Sequence, residues 1–163
     1  MITSRLQPLT AAHWKQAIKT GIAGALAMFL AELLHLPQPY WAAVSAVIVM
    51  QSEFAATLKV GWTRMAGTAI GAVVAIPFAE IAPGNVLAFG LAVIAAVVVC
   101  SALKLEDGQR LAAATVVIIM LIGQSEPPWL SALFRFLEVS FGIIVSLPVT
   151  RFVWPAHAPQ APT

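Results

Sequence analysis

The chain has 163 residues, 60% of them hydrophobic and only 10% charged, with a mean hydropathy of +0.90. Soluble domains carry roughly a quarter charged residues, so this composition excludes a water-facing globular surface. At about 20 apolar residues per crossing, the length leaves room for about six membrane spans and no separate soluble domain. The net charge of +2 comes from nine Lys and Arg scattered along the chain, which points away from a nucleic-acid interface and towards a topological bias.

In chain order, residues 1–14 read as a cytoplasmic N-terminal segment. Arg5, Lys15 and Lys19 precede a long apolar stretch without an A-x-A exit, so the first span is expected to be retained rather than cleaved. Six apolar stretches follow within residues 15–154: about Gln16 to Leu36, Pro39 to Gln51, Val60 to Ile81, Asn85 to Leu103, Leu111 to Gly123, and Trp129 to Trp154. Pro37 and Pro39, the stretch Gln51 to Lys59, Pro83-Gly84, Lys104 to Arg110, and Pro127-Pro128 separate them. Residues 155–163 are rich in Pro and Ala and read as a disordered cytoplasmic tail. Cys100, the single cysteine, lies in an apolar run and reads as a small buried hydrophobe.

Loops kept in the cytoplasm collect Lys and Arg. With the N-terminus inside, Arg5, Lys15, Lys19, Lys59, Arg64, Lys104, Arg110 and Arg151 fall on the inner side and only Arg135 towards the outer one. Both termini are thus expected in the cytoplasm. Trp14, Trp41, Trp62, Trp129 and Trp154 each fall at an expected span end, as interfacial anchors do.

The chain also resembles itself. Ala42-Ala43-Val44-Ser45-Ala46-Val47-Ile48-Val49-Met50 in the second stretch is matched seventy residues later by Ala112-Ala113-Ala114-Thr115-Val116-Val117-Ile118-Ile119-Met120 in the fifth. Arg64, Gly71 and Pro77 in the third stretch share their spacing with Arg135, Gly142 and Pro148 in the sixth, at an offset of 71. The first and fourth match more weakly, around Gly21 and Gly90. Repeats of three spans, about residues 15–82 and 85–154, enter a bilayer in opposite senses, so the expected fold is an all-α integral membrane protein, a 3+3 inverted repeat of the kind used by secondary transporters. The two second-position stretches are short, which in such repeats points to a substrate site.

The run Tyr40-Trp41-Ala42-Ala43-Val44-Ser45-Ala46-Val47-Ile48-Val49-Met50-Gln51, followed by Leu58 and by Arg64-x-x-Gly67-Thr68-x-x-Gly71, resembles the membrane half of the fusaric acid resistance and aromatic acid exporter (FUSC-like) superfamily. The plant aluminium-activated malate channels are distant relatives of that superfamily. The resemblance extends over about residues 15 to 154. It implies export of organic anions, often aromatic carboxylates, across a bacterial inner membrane. Members generally add a cytoplasmic helical domain or repeat the six-span block, so a homo-oligomer, with a dimer favoured, and a periplasmic adaptor are the expected partners beside membrane lipids.

Arg64 and Arg135 are the leading substrate-binding candidates, because a guanidinium in a membrane helix is costly and its fork fits carboxylates. The competing readings are snorkelling for Arg64 and an i,i+3 pair with Glu138 for Arg135. By the repeat, the two cations stand near opposite mouths. Ser45 and Thr115 are candidate hydrogen-bonding partners of substrate or of neighbouring helices, and Lys59, like Lys19, is placed to draw anions to the inner mouth. Glu138, Glu32 and His35 are the proton-coupling candidates. Gly67, Gly71 and Gly142 read as helix-packing positions, as do Gly21 and Gly24. Pro77 and Pro148 are placed to kink or end their helices. His13, His35 and His157 are far apart, no metal-ligand spacing occurs, and no phosphate-binding loop is present, so neither an enzyme nor a metal or other cofactor is expected. Three functions fit: proton-coupled efflux of aromatic carboxylates, a passive anion channel, and a non-transporting subunit of an efflux assembly.

Overall fold

The computed structural model describes residues 10–123 and 126–154. Arg5, His157 and the expected tail lie outside the described residues. Six helices form: α1 Ala11–Leu33, α2 Tyr40–Val49, α3 Phe54–Ile81, α4 Val86–Ala102, α5 Gln109–Val117 continuing as a π-helical turn over Ile118–Ile122, and α6 Pro128–Phe152. The existence and order of all six follow the apolar stretches. Their lengths do not. Among the described residues, only α1, α3 and α6 are long and apolar enough to cross a membrane unaided, whereas α2, with 10 residues, rises only about 15 Å. The stretch Gln51 to Lys59, expected as a break, is mostly the first turns of α3, so Trp62 stands two turns inside that helix rather than at its end. Pro77 and Pro148 do not end their helices, which run through both.

Helix boundaries have local causes. Asn85 caps α4, its Oδ1 accepting from the backbone N–H of Leu87 at 2.9 Å and of Ala88 at 3.1 Å. Pro128 opens α6 at a position where a missing N–H costs nothing. α1 and α4 stop in the same way. Leu36 N donates to Ala31 O and His35 N to Glu32 O, while Leu105 N donates to Cys100 O and Lys104 N to Ser101 O. His35 and Lys104 carry φ of 55° and 57°, the left-handed residue of a Schellman cap, normally a glycine. Leu36 and Leu105 then tuck back against the cores.

α3 and α6 pack against each other at the centre. α6 also carries α1 and α2, α3 carries α4 and α5, and within each flank α1 lies on α2 and α4 on α5. The third helix of each half therefore packs on the second helix of the other half. The interior is built from small residues: Ala23, Ala27, Ala31, Ala42 and Ala46 on one side, and Ala75, Ala92, Ala96, Cys100 and Ala112 on the other, all fully buried. The large side chains are outside, with Phe29, Val73, Ile81, Leu87, Ile94, Val98, Ile144 and Phe152 among those most exposed. Water would penalise such an exterior at about 25 cal/mol per Å² of apolar surface. Hydrocarbon does not, and close approach of small residues is how helices associate there.

Two glycines set the closest approaches of one helix to another's backbone. A Cβ on Gly71 would run into the Ala112 carbonyl oxygen and sit 2.8 Å from Thr115 Cβ. One on Gly142 would run into the Ala42 carbonyl oxygen and sit 2.7 Å from Ser45 Cβ. Gly67 is equally constrained, against Gly108 O at 2.7 Å, and Gly24 meets Val47 at 2.9 Å. Gly61, not singled out by the sequence, meets Ile143 at 2.8 Å. Gly21 and Gly90 meet nothing, so Gly21 is no packing position. What α1 and α4 share instead is a buried stripe of small residues at every fourth position, Ala23-Ala27-Ala31 and Ala92-Ala96-Cys100.

Candidate functional site

At one end of the bundle, where α1 hands over to α2 and α6 begins, the polar side chains gather. Pro37 and Pro39 flank Gln38 and stiffen the connection, so its side chain has a fixed point from which to reach α6. Gln38 N donates to Glu138 Oε1 at 2.8 Å. Glu138 Oε2 pairs with Arg135 Nη2 at 2.7 Å, and both side chains are almost wholly buried. This is the expected i,i+3 pair, two residues of one α6 face. Arg135 Nη2 also donates to Gln38 Oε1 at 2.7 Å, and the guanidinium lies over the Trp41 ring, 4.9 Å from its centroid. The same Gln38 Oε1 accepts from Tyr40 OH at 2.7 Å and Trp41 Nε1 at 3.1 Å. Trp41 is therefore part of this cluster, unlike the exposed Trp14, Trp62, Trp129 and Trp154.

The pair does not exhaust Arg135. Its Nε and Nη1 are buried and without a hydrogen-bond partner among the described residues. Buried donors left in this state cost about 1–3 kcal/mol each, which makes the cluster a place where an acceptor is wanted.

Arg64 is also buried, at 6% exposure, and so does not snorkel. Its Nε donates to Ser45 Oγ at 3.3 Å, while Ser45 donates to Trp41 O at 2.7 Å. Thr57 and Thr150 hydroxyls meet at 3.2 Å and Gly61 faces Ile143, fixing the antiparallel register of α3 on α6. In that register Arg64 stands level with about residue 141, and Arg135 is about six residues, or roughly 9 Å, further along. The two cations are thus stacked within the bundle rather than set at its two mouths.

The remaining candidates scatter. Thr115 donates to Leu111 O of its own helix at 2.9 Å and backs onto Gly71. Lys59 is exposed and lines a groove of about 470 Å³ with Ile48, Val60, Thr63, Asp107 and Arg110. Lys19, in contrast, is only 3% exposed and donates to Ser52 O at 3.3 Å, holding the α2–α3 connection. Glu32 and His35 are exposed at the end of α1 and joined only through the backbone, His35 being occupied as the helix cap. Gln38 was not singled out by sequence reasoning. The available signal was its position, a lone amide between two prolines and directly before Tyr40-Trp41.

A bundle of apolar helices with large side chains outward and two arginines inward defines a membrane protein with a polar interior site. The sequence model described as "Aromatic acid exporter family member 1" matches residues 14–153, and the chain belongs to that family. It is 30% identical over 142 residues to a UPF0421 protein of Bacillus cereus, covering 87% of this chain and 39% of the relative. It is 29% identical to the UPF0421 protein YgaE of Bacillus subtilis, covering 84% of this chain and 38% of the relative. A shorter match, 36% over 67 residues, reaches the uncharacterized transporter YdhK of Escherichia coli, covering 41% of this chain and 10% of that protein. The chain thus spans well under half the length of these relatives. No solved structure matches it.

Proposed function

We propose that this chain is the membrane-embedded part of an organic-anion exporter, with six spans arranged as a 3+3 inverted repeat and both termini in the cytoplasm of a bacterial inner membrane. The observation that carries the reading is Arg135: a guanidinium 2% exposed, held over Trp41, with two nitrogens that find no partner among the described residues in the interior of an apolar bundle. Permanent charge is retained at such a depth where it meets an ion, and a planar fork over an indole suits a carboxylate attached to an aromatic ring. The family membership supports the direction and the class of cargo. The reciprocal packing of α3 on α5 and α6 on α2, the paired Gly71 and Gly142 contacts and the twin caps at His35 and Lys104 support the repeat. In this topology α2 and α5 are the short spans, completed by their connections, beside which Arg64 and Arg135 sit. Glu138 is the coupling group: protonated, it releases Arg135 to the substrate, and ionised, it takes the guanidinium back.

Reconstitution of the purified chain in proteoliposomes tests this. Flux of aromatic carboxylates that follows an imposed pH gradient, and is lost in Arg135→Ala and uncoupled in Glu138→Gln, is the expected result. An ohmic anion current indifferent to the gradient would replace coupled export with a channel. Absence of both flux and current for every carboxylate tried would remove transport by this chain.

A further inference from the structure

Gln38 Oε1 is surrounded by more donors than an amide oxygen is built for. Tyr40 OH, Trp41 Nε1 and Arg135 Nη2 converge on it at 2.7, 3.1 and 2.7 Å, whereas a carbonyl oxygen offers two lone pairs. One of the three is cationic, and such donors bind anionic oxygen about twice as strongly as neutral oxygen. Immediately beside this point, Arg135 Nε and Nη1 are buried and have no hydrogen-bond partner among the described residues. The neighbouring surface is aromatic, with the Tyr40 and Trp41 rings 5.6 Å apart. An oxygen position met by a hydroxyl, an indole N–H and a guanidinium, with further guanidinium donors vacant next to it, is a carboxylate position holding a neutral substitute.

We infer that the Gln38 side chain is a built-in plug: its amide oxygen occupies the place of one substrate carboxylate oxygen and must swing out before an organic acid can bind. The inference rests on the anion reading of Arg135 given above. The geometry allows the motion. Gln38 is anchored by its backbone, through the N–H donated to Glu138 and the flanking Pro37 and Pro39, so the side chain can leave without the connection moving. A carboxylate entering in its place takes the Tyr40 and Trp41 donors with one oxygen. Its second oxygen takes Arg135 donors that the amide leaves unused, a bidentate contact that a single amide oxygen cannot make. A substrate lacking a carboxylate gains nothing over the resident amide and does not displace it, so the plug also serves selectivity.

Removing an internal competitor raises apparent affinity by the inverse of the unplugged fraction. Titration calorimetry of the detergent-solubilised chain with benzoate as probe, on the native protein and on Gln38→Met, Gln38→Ala, Gln38→Glu and Arg135→Ala, gives the test. Gln38→Met keeps the side-chain volume and removes the acceptor, so it covers the case in which the alanine variant does not fold. The expected results are benzoate binding at least about fivefold tighter in Gln38→Met than in the native chain, and no binding in Gln38→Glu, where a tethered carboxylate fills the site permanently. Equal affinity in native, Gln38→Met and Gln38→Glu, with binding lost in Arg135→Ala, would overturn the plug and leave the anion site standing. Failure of every form, Gln38→Met included, to bind benzoate or other aromatic carboxylates would overturn both.

Discussion

Arg64 and Arg135 occupy matching positions in the two halves, yet they live in different company. Three residues on, Arg135 has Glu138 and Arg64 has Gly67; Gln38 and Trp41 face the Arg135–Glu138 pair, whereas Gly108 and Leu111 close on Gly67 and Arg64 turns to Ser45. Around Arg135 these positions build a polar cluster. One turn on from Arg64 two of these positions are glycine, and the backbones of α3 and of the turn before α5 close directly upon each other, with Gly67 against the Gly108 carbonyl. The scaffold is shared while the chemistry is private to one end. One frame therefore holds one cation paired with a carboxylate and one whose side-chain hydrogen bond, among the described residues, is to a serine.

The largest test of that contrast is to delete each cation. Arg135→Ala strands Glu138, buried and ionisable, and should cost about 3–5 kcal/mol. Arg64→Ala loses one long hydrogen bond and orphans no carboxylate, so about 1 kcal/mol is expected. Unfolding of both variants in mixed micelles by SDS titration gives the comparison directly, and equal losses would mean that the two sites do not differ as described. Next come the shared contacts. Gly71→Ala and Gly142→Ala each drive a methyl into a helix backbone and should destabilise by about 1–3 kcal/mol, to a similar extent in both halves; a clear inequality would break the equivalence of the two crossings. The caps follow. His35→Gly and Lys104→Gly relieve left-handed backbone and should each stabilise the fold by about 1 kcal/mol, read as a raised melting temperature in detergent. The smallest effect belongs to Gly21→Ala and Gly90→Ala, where the added methyl meets open space. Thermal shifts corresponding to no more than about 0.5 kcal/mol of destabilisation are expected there, and a large loss would show that these faces contact something.

Much of this was legible in the sequence, for identifiable reasons. Apolar runs and proline punctuation locate six helices because both depend on local composition. The internal sequence match rests on rare residues, Arg, Gly and Pro, whereas Gly21 and Gly90 meet nothing in the bundle and the buried stripes of α1 and α4 are small residues, which recur by chance. The Arg135–Glu138 pair follows from helical spacing alone. Arg64's burial does not, since the sequence around it reads equally well as an interfacial face, and only the packing of α3 on α6 places it inside. Gln38 and Trp41 escaped because their roles arise across a separation of about a hundred residues, between a loop and a helix, and no periodicity reports such a meeting. The start of α3 is not legible because the polar residues Gln51, Ser52, Glu53 and Lys59 bracket its first turns. Polarity marks the exit from hydrocarbon but does not end a helix.

The inversion of size, alanine inside and large hydrophobes outside, also sets which changes the chain tolerates. In a soluble domain the interior accepts trimming at a cost, and the surface accepts nearly anything. Here the outer leucines, valines and isoleucines should interchange freely with one another and reject charge, while a single added methylene at Ala27, Ala46, Ala96 or Ala112, each fully buried, pushes helices apart. A saturation library of this protein would therefore show its least replaceable positions at its smallest residues.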